Sequence, residues 1–217
     1  MFMGNQVEPC VSAFQQVAER LVDEGYCIIE NALPEALCQA LFQRVTSLPR
    51  SEFRRAGIGR NRDQQIDDGY RTDEIHWLDS SDVTASAYLT LMEQLRLDIN
   101  RQLFIGLFDY EAHFAHYAPG SFYKRHLDAF QGNTNRVVTT VFYLNPEWCE
   151  QDGGAINLYE NTDSEIPFKS VFPKMGTLVV FLSDQFPHEV MAAQRDRYSI
   201  AGWFRVKAAG VMVDPPR

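Results

Sequence analysis

Apolar residues recur at helical spacing through the first hundred positions of the chain. The spacing predicts three helices, the first ending at Gly25, the second beginning at Pro34 and the third beginning near Asp82. Between the first two helices, the run from Tyr26 to Glu30 predicts a short strand. The helical positions expected to face a core are Val11, Phe14, Val17, Ala18, Leu21, Val22, Leu37, Leu41, Val45, Leu48, Tyr88, Met92, Leu95, Ile99 and Leu103.

Beyond residue 105 the pattern changes to short β-branched and aromatic runs separated by turn residues. The predicted strands are Tyr110–Tyr117, Phe122–Leu127, Arg136–Leu144, Ala155–Tyr159, Thr177–Leu182, His188–Met191 and Arg197–Val206. Helices and strands are segregated along the chain, which argues against a parallel α/β fold. We therefore predict an α+β fold for a single domain over residues 1–217. A jelly-roll core at about 105–207 would be buttressed by N-terminal helices at about 9–104.

The composition supports one compact body in a reducing compartment. The chain has 217 residues, of which 45% are hydrophobic, so it can bury a sizeable core without disulfide bonds. Its four cysteines, at positions 10, 27, 38 and 149, have the spacing of neither a zinc site nor a small secreted framework. We therefore expect free thiols and a cytoplasmic location.

Net charge and hydropathy argue against two classes of partner. Twenty basic and twenty-nine acidic residues give a formal charge of −9, which would repel a nucleic-acid backbone. The longest apolar run, Leu178 to Leu182, is too short to span a bilayer, and Met1 to Val7 lack the features of a signal peptide. We expect neither direct nucleic-acid binding nor membrane association.

One segment has the opposite charge from the rest of the chain. Between Arg50 and Arg62, five arginines and one glutamate leave a local excess of four positive charges, with Gly57 and Gly59 among them. On charge alone, the simplest interpretation is a solvated, mobile loop.

A histidine and an aspartate two residues apart form the first candidate metal-binding pattern. On a strand, side chains at positions i and i+2 face the same way and lie roughly 6.6 Å apart. His126 and Asp128, in the predicted strand Phe122–Leu127 and just after it, could therefore converge on one ion. The alternative is a surface histidine beside an aspartate, since the tripeptide is common by chance.

Two later residues extend this pattern. His188 begins a later strand, and a 2-His-1-carboxylate set of His126, Asp128 and His188 would favour iron(II) and leave coordination positions open. Arg197 shares a strand face with Trp203, and a guanidinium inside an apolar barrel requires an anion. The distal carboxylate of 2-oxoglutarate would supply that anion. The alternatives are a structural histidine at 188 and an internal salt bridge at 197.

Tyr143 is a second candidate contact for the same carboxylate. It lies on one strand face with Thr139 and Val141, from which its hydroxyl could donate a hydrogen bond to the cosubstrate. The alternative is an ordinary aromatic core residue.

These residues together resemble a known enzyme family. His126-Leu127-Asp128, His188 and Arg197 are set within Tyr117-Ala118-Pro119-Gly120, Gly153-Gly154 and the run from Arg197 to Phe204. The set is similar to the iron(II)- and 2-oxoglutarate-dependent prolyl 4-hydroxylases, especially the hypoxia-inducible-factor prolyl hydroxylases and their bacterial relatives. The resemblance covers about residues 21–206. It implies a double-stranded β-helix, a jelly-roll or cupin-like core.

The resemblance also implies roles for single residues. It implies iron ligands at His126, Asp128 and His188, an Arg197 salt bridge to 2-oxoglutarate, and cosubstrate contacts from Tyr143 and Tyr117. The basic segment from Arg50 to about Tyr70 would be a mobile loop that folds over a protein substrate. The residues that it implies for substrate binding are Arg55, Gly57, Ile58, Asp73, Trp77, Arg136 and Trp203.

The function implied is hydroxylation of a prolyl residue at its 4-position, with iron(II), 2-oxoglutarate, dioxygen and ascorbate as reductant. Products would include succinate and carbon dioxide. The implied partner is a protein carrying the target proline, for which bacterial relatives point to elongation factor Tu. Arg197 favours the oxygen-sensing branch, since collagen-type enzymes generally use lysine there, although Ala201 stands where the animal sensors carry threonine.

Two other functions remain open at this stage. One is a metal-dependent jelly roll that senses or binds a dicarboxylate without oxidising it. The other is a dioxygenase that acts on free proline or another small molecule.

Overall fold

A computed structural model describes residues 8–57, 67–129 and 135–207 of the chain. Its three α-helices are α1 (Glu8–Asp23), α2 (Glu35–Ser47) and α3 (Val83–Leu103). All three were predicted. Asp82 caps α3, because its carboxylate accepts hydrogen bonds from the backbone N–H groups of Thr84 and Ala85. Among the described residues, no helix is long and apolar enough to cross a membrane.

The described residues form two antiparallel sheets. Their strands are β1 (Tyr26–Ile29), β2 (Arg54–Arg55), β3 (Glu74–Trp77), β4 (Asp109–Tyr117), β5 (Tyr123–His126), β6 (Arg136–Tyr143), β7 (Ile156–Leu158), β8 (Lys169–Val171), β9 (Leu178–Leu182), β10 (His188–Val190) and β11 (Arg197–Arg205). The larger sheet has the order β1-β9-β6-β11-β4-β3-β2, and the smaller one has the order β5-β10-β7-β8. Two facing antiparallel sheets buttressed by helices confirm the predicted α+β jelly roll.

Alternation along the strands divides the large sheet into two faces. On β11, Ile200 and Phe204 point into a core shared with the three helices. Ser199, Ala201 and Trp203 point the other way, into a cavity lined by both sheets. The period of two therefore places one set of side chains under the helices and turns the alternate set toward the cavity and a smaller apolar cluster that includes Val141 and Phe181.

The helical half of the chain contributes the predicted strand β1 and two further strands, β2 and β3, that the sequence pattern did not indicate. β1 pairs with β9 at one edge of the large sheet, as the predicted strand from Tyr26 allows. β2 and β3 extend the other edge through pairing of β3 with β4. β2, β3 and β8 were not predicted, because they are two to four residues long and lack the β-branched runs of the core strands.

Candidate metal centre and anion site

Three side chains meet in the cavity between the two sheets. His126 ends β5, His188 begins β10, and the two residues are direct partners in the antiparallel ladder. Their Nε2 atoms each lie 3.6 Å from an oxygen of Asp128. One possible ligand atom from each residue falls within 4.8 Å of the others, which fits three ligands around one ion. The structure thus brings together the three predicted metal ligands.

Backbone carbonyl groups orient the two imidazoles. His126 Nδ1 lies 2.8 Å from the carbonyl oxygen of Lys124, and His188 Nδ1 lies 3.0 Å from that of Phe186. With Nδ1 donating to a carbonyl, Nε2 of each ring keeps its lone pair for a metal. The ring of Tyr123 stacks on His126 at a centroid distance of 3.6 Å and fixes the plane of that imidazole.

The side chain of Asp128 is oriented differently from the way predicted. β5 ends at His126, and Asp128 lies in the bend that follows, so strand alternation does not aim its carboxylate. The Thr139 hydroxyl on β6 donates to Asp128 Oδ2 at 2.9 Å, and it lies 2.9 Å from the hydroxyl of Ser183. The residue was predicted, but the strand geometry assigned to it was wrong.

The protonation states of His188 and Asp128 suit a cation. Burial lowers the pKa of His188 to about 4, with a further contribution from the charge of His126, so its imidazole is neutral at pH 7. Burial of Asp128 opposes ionisation, but His188 and His126 together hold the pKa of that carboxyl well below its ordinary value. Two imidazoles and one carboxylate form the donor set that iron(II) accepts.

Arg197 supplies a buried positive charge at one end of the cavity. Its side chain is almost fully buried; Nε donates to the Gly154 carbonyl at 2.9 Å, and Nη1 donates to the Ser199 hydroxyl at 3.3 Å. Nη2 has no hydrogen-bond partner, and no carboxylate within the described part of the chain forms a salt bridge with this guanidinium. The alternative of an internal salt bridge is thereby rejected for these residues. A buried cation without a counter-charge calls for an anionic ligand.

Glycine is required where the backbone meets Arg197. Gly154 has a φ of +71°, and a Cβ there would lie 3.2 Å from the Arg197 Cδ and 3.0 Å from the Ala193 Cβ. Both the left-handed backbone and the close approach favour a residue without a side chain. The predicted Gly153-Gly154 pair therefore positions the carbonyl that receives Arg197 Nε.

Two tyrosines flank the guanidinium. The ring centres of Tyr117 and Tyr143 lie 4.9 and 5.1 Å from Arg197 Cζ. The buried Tyr143 hydroxyl has no hydrogen-bond partner, and burial raises its pKa to about 12 against the opposing charge of Arg197. A carboxylate between this hydroxyl and Arg197 Nη2 would satisfy both groups. The residues present therefore fit the distal end of 2-oxoglutarate.

Arg136 and Trp203 form another part of the cavity wall. Arg136 Cζ lies 3.5 Å from the Trp203 ring centre, and its guanidinium donates twice to Glu111 Oε1, at 2.9 and 3.1 Å. Glu111 also accepts from Arg205 at 2.8 Å. The adjacent His113 packs its ring 5.5 Å from Trp203 and is neutral, because burial and then the charge of Arg71 lower its pKa to about 3.

Arg71 also lines the cavity, although no sequence pattern indicated it. Its Nε and Nη2 donate to the two oxygens of Asp73 at 2.6 and 2.8 Å, and its Cζ lies 4.4 Å from the Tyr123 ring centre. Asp73 is buried behind Arg71 and is not itself part of the cavity wall. Arg71 and Asp73 lie outside the helices and named strands, so no helical or strand periodicity could have predicted that Arg71 faces the cavity.

Three other predicted substrate residues that the structure describes, Arg55, Gly57 and Trp77, do not line the cavity. Trp77 ends β3 and packs edge-on against the His113 ring. Arg55 is exposed on β2, and Gly57 follows shortly after it. Ile58 lies outside the described residues. Contact between these residues and a substrate stays a prediction.

Comparison with known proteins gives one family match. The profile of the 2OG-Fe(II) oxygenase superfamily matches residues 112–205, the stretch that carries the three candidate ligands and Arg197. It begins in β4 and ends with β11, so it covers most of the jelly-roll core.

Two solved structures are similar over most of their length. A prolyl-4-hydroxylase from Pseudomonas putida is 38% identical with a TM-score of 0.80, and the match covers 90% of this chain and all of that one. A Trichoplax adhaerens prolyl hydroxylase in complex with a hypoxia-inducible-factor peptide is 29% identical with a TM-score of 0.79, covering 92% and 91%.

The match to a curated relative covers only part of that relative. Egl nine homolog 1 from Mus musculus is 26% identical over 202 residues, which are 88% of this chain and 49% of the relative. The chain thus spans about half the length of that relative.

Replacement of Thr139 by valine tests how Asp128 is held. The variant keeps the shape of the side chain but removes the hydroxyl that donates to Asp128. We expect affinity for manganese(II), a redox-stable probe of the site, to fall by about 10- to 100-fold. Calorimetric titration of the metal-free protein measures this affinity.

Thr140→Val is the matched control, because the neighbouring hydroxyl points to the opposite face and contacts Tyr110. It should leave manganese affinity unchanged. Equal losses in the two variants would show that the Thr139 hydroxyl has no specific role in the metal site.

Proposed function

Because the chain belongs to the 2OG-Fe(II) oxygenase superfamily and, within it, to the prolyl 4-hydroxylases, we propose that it hydroxylates a prolyl residue of a protein at the 4-position. The cofactors of the superfamily are iron(II), 2-oxoglutarate and dioxygen, with ascorbate as the usual extra reductant. When bound, the metal supplies the redox chemistry by which oxygen and 2-oxoglutarate give succinate, carbon dioxide and a hydroxylated product.

One observation carries this proposal: the uncompensated guanidinium of Arg197 shares a cavity with the candidate metal ligands. A monocarboxylate could satisfy either the metal or Arg197, whereas a dicarboxylate can satisfy both. His126, Asp128 and His188 would hold iron, while Arg197 and Tyr143 would bind the distal carboxylate and Tyr117 would pack beside it. The walls of both sheets would exclude water from the reacting groups.

A protein substrate is supported by the cavity wall and by one relative. Arg136 and Trp203 line the wall next to the metal ligands. Arg55, from the basic segment, is exposed on the edge strand β2. The Trichoplax relative was solved with a peptide bound. Elongation factor Tu is the first candidate substrate, and free proline is the main alternative. Cys27 and Cys149 form no disulfide among the described residues, which supports a cytoplasmic location.

Arg197→Lys tests the cosubstrate assignment. Lysine keeps the positive charge but loses the planar, two-pronged contact with a carboxylate. We expect the Michaelis constant for 2-oxoglutarate to rise more than tenfold, which corresponds to about 1.4 kcal/mol or more. An unchanged constant would place the anion elsewhere.

Oxygen incorporation into proteins tests the overall function. Extracts of cells that contain the active chain, or its Asp128→Ala variant, are digested and compared by mass spectrometry. We expect one or a few prolyl residues to gain an oxygen atom only with the parent chain, since the variant lacks the carboxylate of the metal site. Succinate formation without any modified protein would favour a small-molecule substrate, and no succinate at all would favour a dicarboxylate sensor.

A further inference from the structure

The turn between β9 and β10 contacts the metal site at both of its ends. It spans residues 183–187, directly before His188. Near its far end, the Phe186 carbonyl lies 3.0 Å from His188 Nδ1 and orients that imidazole. At its near end, the Ser183 hydroxyl lies 2.9 Å from the Thr139 hydroxyl, which itself donates to the carboxylate of the site. The contribution of Ser183 depends on the direction of this last hydrogen bond.

Strand pairing places Ser183 beside Thr139. The ladder between β6 and β9 pairs Thr139 with Phe181, and the Ser183 backbone N–H extends the ladder by donating to the Val137 carbonyl at 3.0 Å. Ser183 comes two residues after Phe181 and so faces the same way, toward His188, against which the Phe181 ring packs edge-on. Ser183 is fully buried, so its hydroxyl needs a partner within the protein.

The direction of each hydrogen bond in this chain of contacts can be assigned. A hydroxyl carries one hydrogen and can also accept, whereas an ionised carboxylate can only accept. Thr139 must therefore give its one hydrogen to Asp128 Oδ2, which lies 2.9 Å away. In the contact between the two hydroxyls, the donor is then Ser183. Within the described ranges of the chain, the Ser183 hydroxyl makes no other hydrogen bond that competes for its hydrogen.

The resulting relay, Ser183 to Thr139 to Asp128, has a fixed direction. A hydroxyl hydrogen can rotate to suit its surroundings, and donation from Ser183 keeps the Thr139 hydrogen turned toward the carboxylate. Donation also polarises the Thr139 hydroxyl and strengthens the bond that it makes. Asp128 lies in a bend and not on a strand, so these bonds supply the orientation that strand alternation cannot give.

The backbone of Ser183 holds the same bend independently of the side chain. Its carbonyl accepts from the N–H of Ala129, the residue directly after Asp128, at 3.2 Å. Replacement of Ser183 by alanine leaves this carbonyl in place and removes the hydroxyl alone. The relay can therefore be tested without removing the backbone contact.

From these contacts we propose that Ser183 is a positioning residue for the metal ligand Asp128 and acts through the Thr139 hydroxyl. The proposal rests on the metal site of the proposed function. The β9–β10 turn thereby orients ligands in two separate segments, His188 through the Phe186 carbonyl and Asp128 through the Ser183 hydroxyl. Metal binding then depends on this turn as well as on the ligands themselves.

Manganese(II) affinity tests the relay when it is measured for the full-length parent chain, Ser183→Ala, Thr139→Val and the double variant. Calorimetric titration of the metal-free proteins gives each affinity. We expect Ser183→Ala to lower it by about tenfold, the lower end of the range for losing a hydrogen-bond partner of a metal ligand, because Ser183 acts through a further bond. In the Thr139→Val background the same replacement should have no further effect, since the hydroxyl through which it acts is gone.

A control variant and a spectrum separate orientation of the ligand from general damage. Ser170→Ala also removes a serine hydroxyl, one that donates to Asn157 at 2.7 Å on the smaller sheet, and neither residue lines the cavity. It should leave manganese affinity unchanged. The electron paramagnetic resonance spectrum of bound manganese reports the arrangement of its ligands. We expect Ser183→Ala and Thr139→Val to change that spectrum in the same way and Ser170→Ala to leave it as in the parent.

Two results would overturn the proposal. One is an affinity for manganese in Ser183→Ala that equals that of the parent. The other is an equal loss from Ser183→Ala in the parent and in the Thr139→Val background, because Ser183 would then act without Thr139. Thermal unfolding of the metal-free proteins shows whether each variant folds. If the alanine variant does not, Ser183→Cys, whose thiol is only a weak donor, takes its place in the same comparison.

The proposed function and this inference fail in different ways. Complete dependence of the Ser183 effect on Thr139, in a protein that modifies no cellular proline, would preserve the relay and remove the hydroxylase. Hydroxylated protein together with independent losses from the two replacements would preserve the hydroxylase and remove the relay.

Discussion

A buried guanidinium without an acidic partner is costly, and Arg197 occupies that position on the inner face of the larger sheet. Two neutral acceptors, the Gly154 carbonyl and the Ser199 hydroxyl, stabilise the guanidinium in part by accepting hydrogen bonds from it. The remaining donor, Nη2, is left for a ligand. The shape and charge of that ligand follow from what surrounds the guanidinium: a tyrosine hydroxyl without a partner and, further along the cavity, a three-residue metal site.

The jelly roll makes this site possible because each strand of the large sheet has one face toward the helices and the other toward the cavity. Residues such as Ile200 and Phe204 bury apolar surface against three helices, which stabilises the sheet. Their neighbours on β11 are then free to carry polar groups on the other face, where the smaller sheet supplies His126 and His188. The residues of the site thus lie on the face away from the main core, which they share with a smaller apolar cluster that includes Val141 and Phe181.

The sequence predicted the parts of this site that follow from strand periodicity and failed where irregular backbone decides. Arg197 and Trp203 share a face because they are six residues apart on one strand, and the structure confirms this. Asp128 and Arg71 lie outside the named strands, so strand alternation does not set the direction of their side chains. A hydrogen bond from Thr139 orients Asp128, and hydrogen bonds to Asp73 orient Arg71. Short edge strands such as β3 were not predicted for a related reason. Pairing with β4, and not the composition of the segment itself, makes β3 a strand.

Calorimetric binding to the manganese-loaded protein without oxygen tests the central claim most directly. The ligands are 2-oxoglutarate and 2-oxopentanoate, which share a five-carbon 2-oxo acid chain and differ in the distal carboxylate that Arg197 and Tyr143 are expected to hold. Hydrogen bonds to charged groups contribute about 1.5–3 kcal/mol, so the dicarboxylate should bind at least about tenfold more tightly. Equal affinity for the two acids would contradict the account, because the buried guanidinium would then have no part in recognising the cosubstrate.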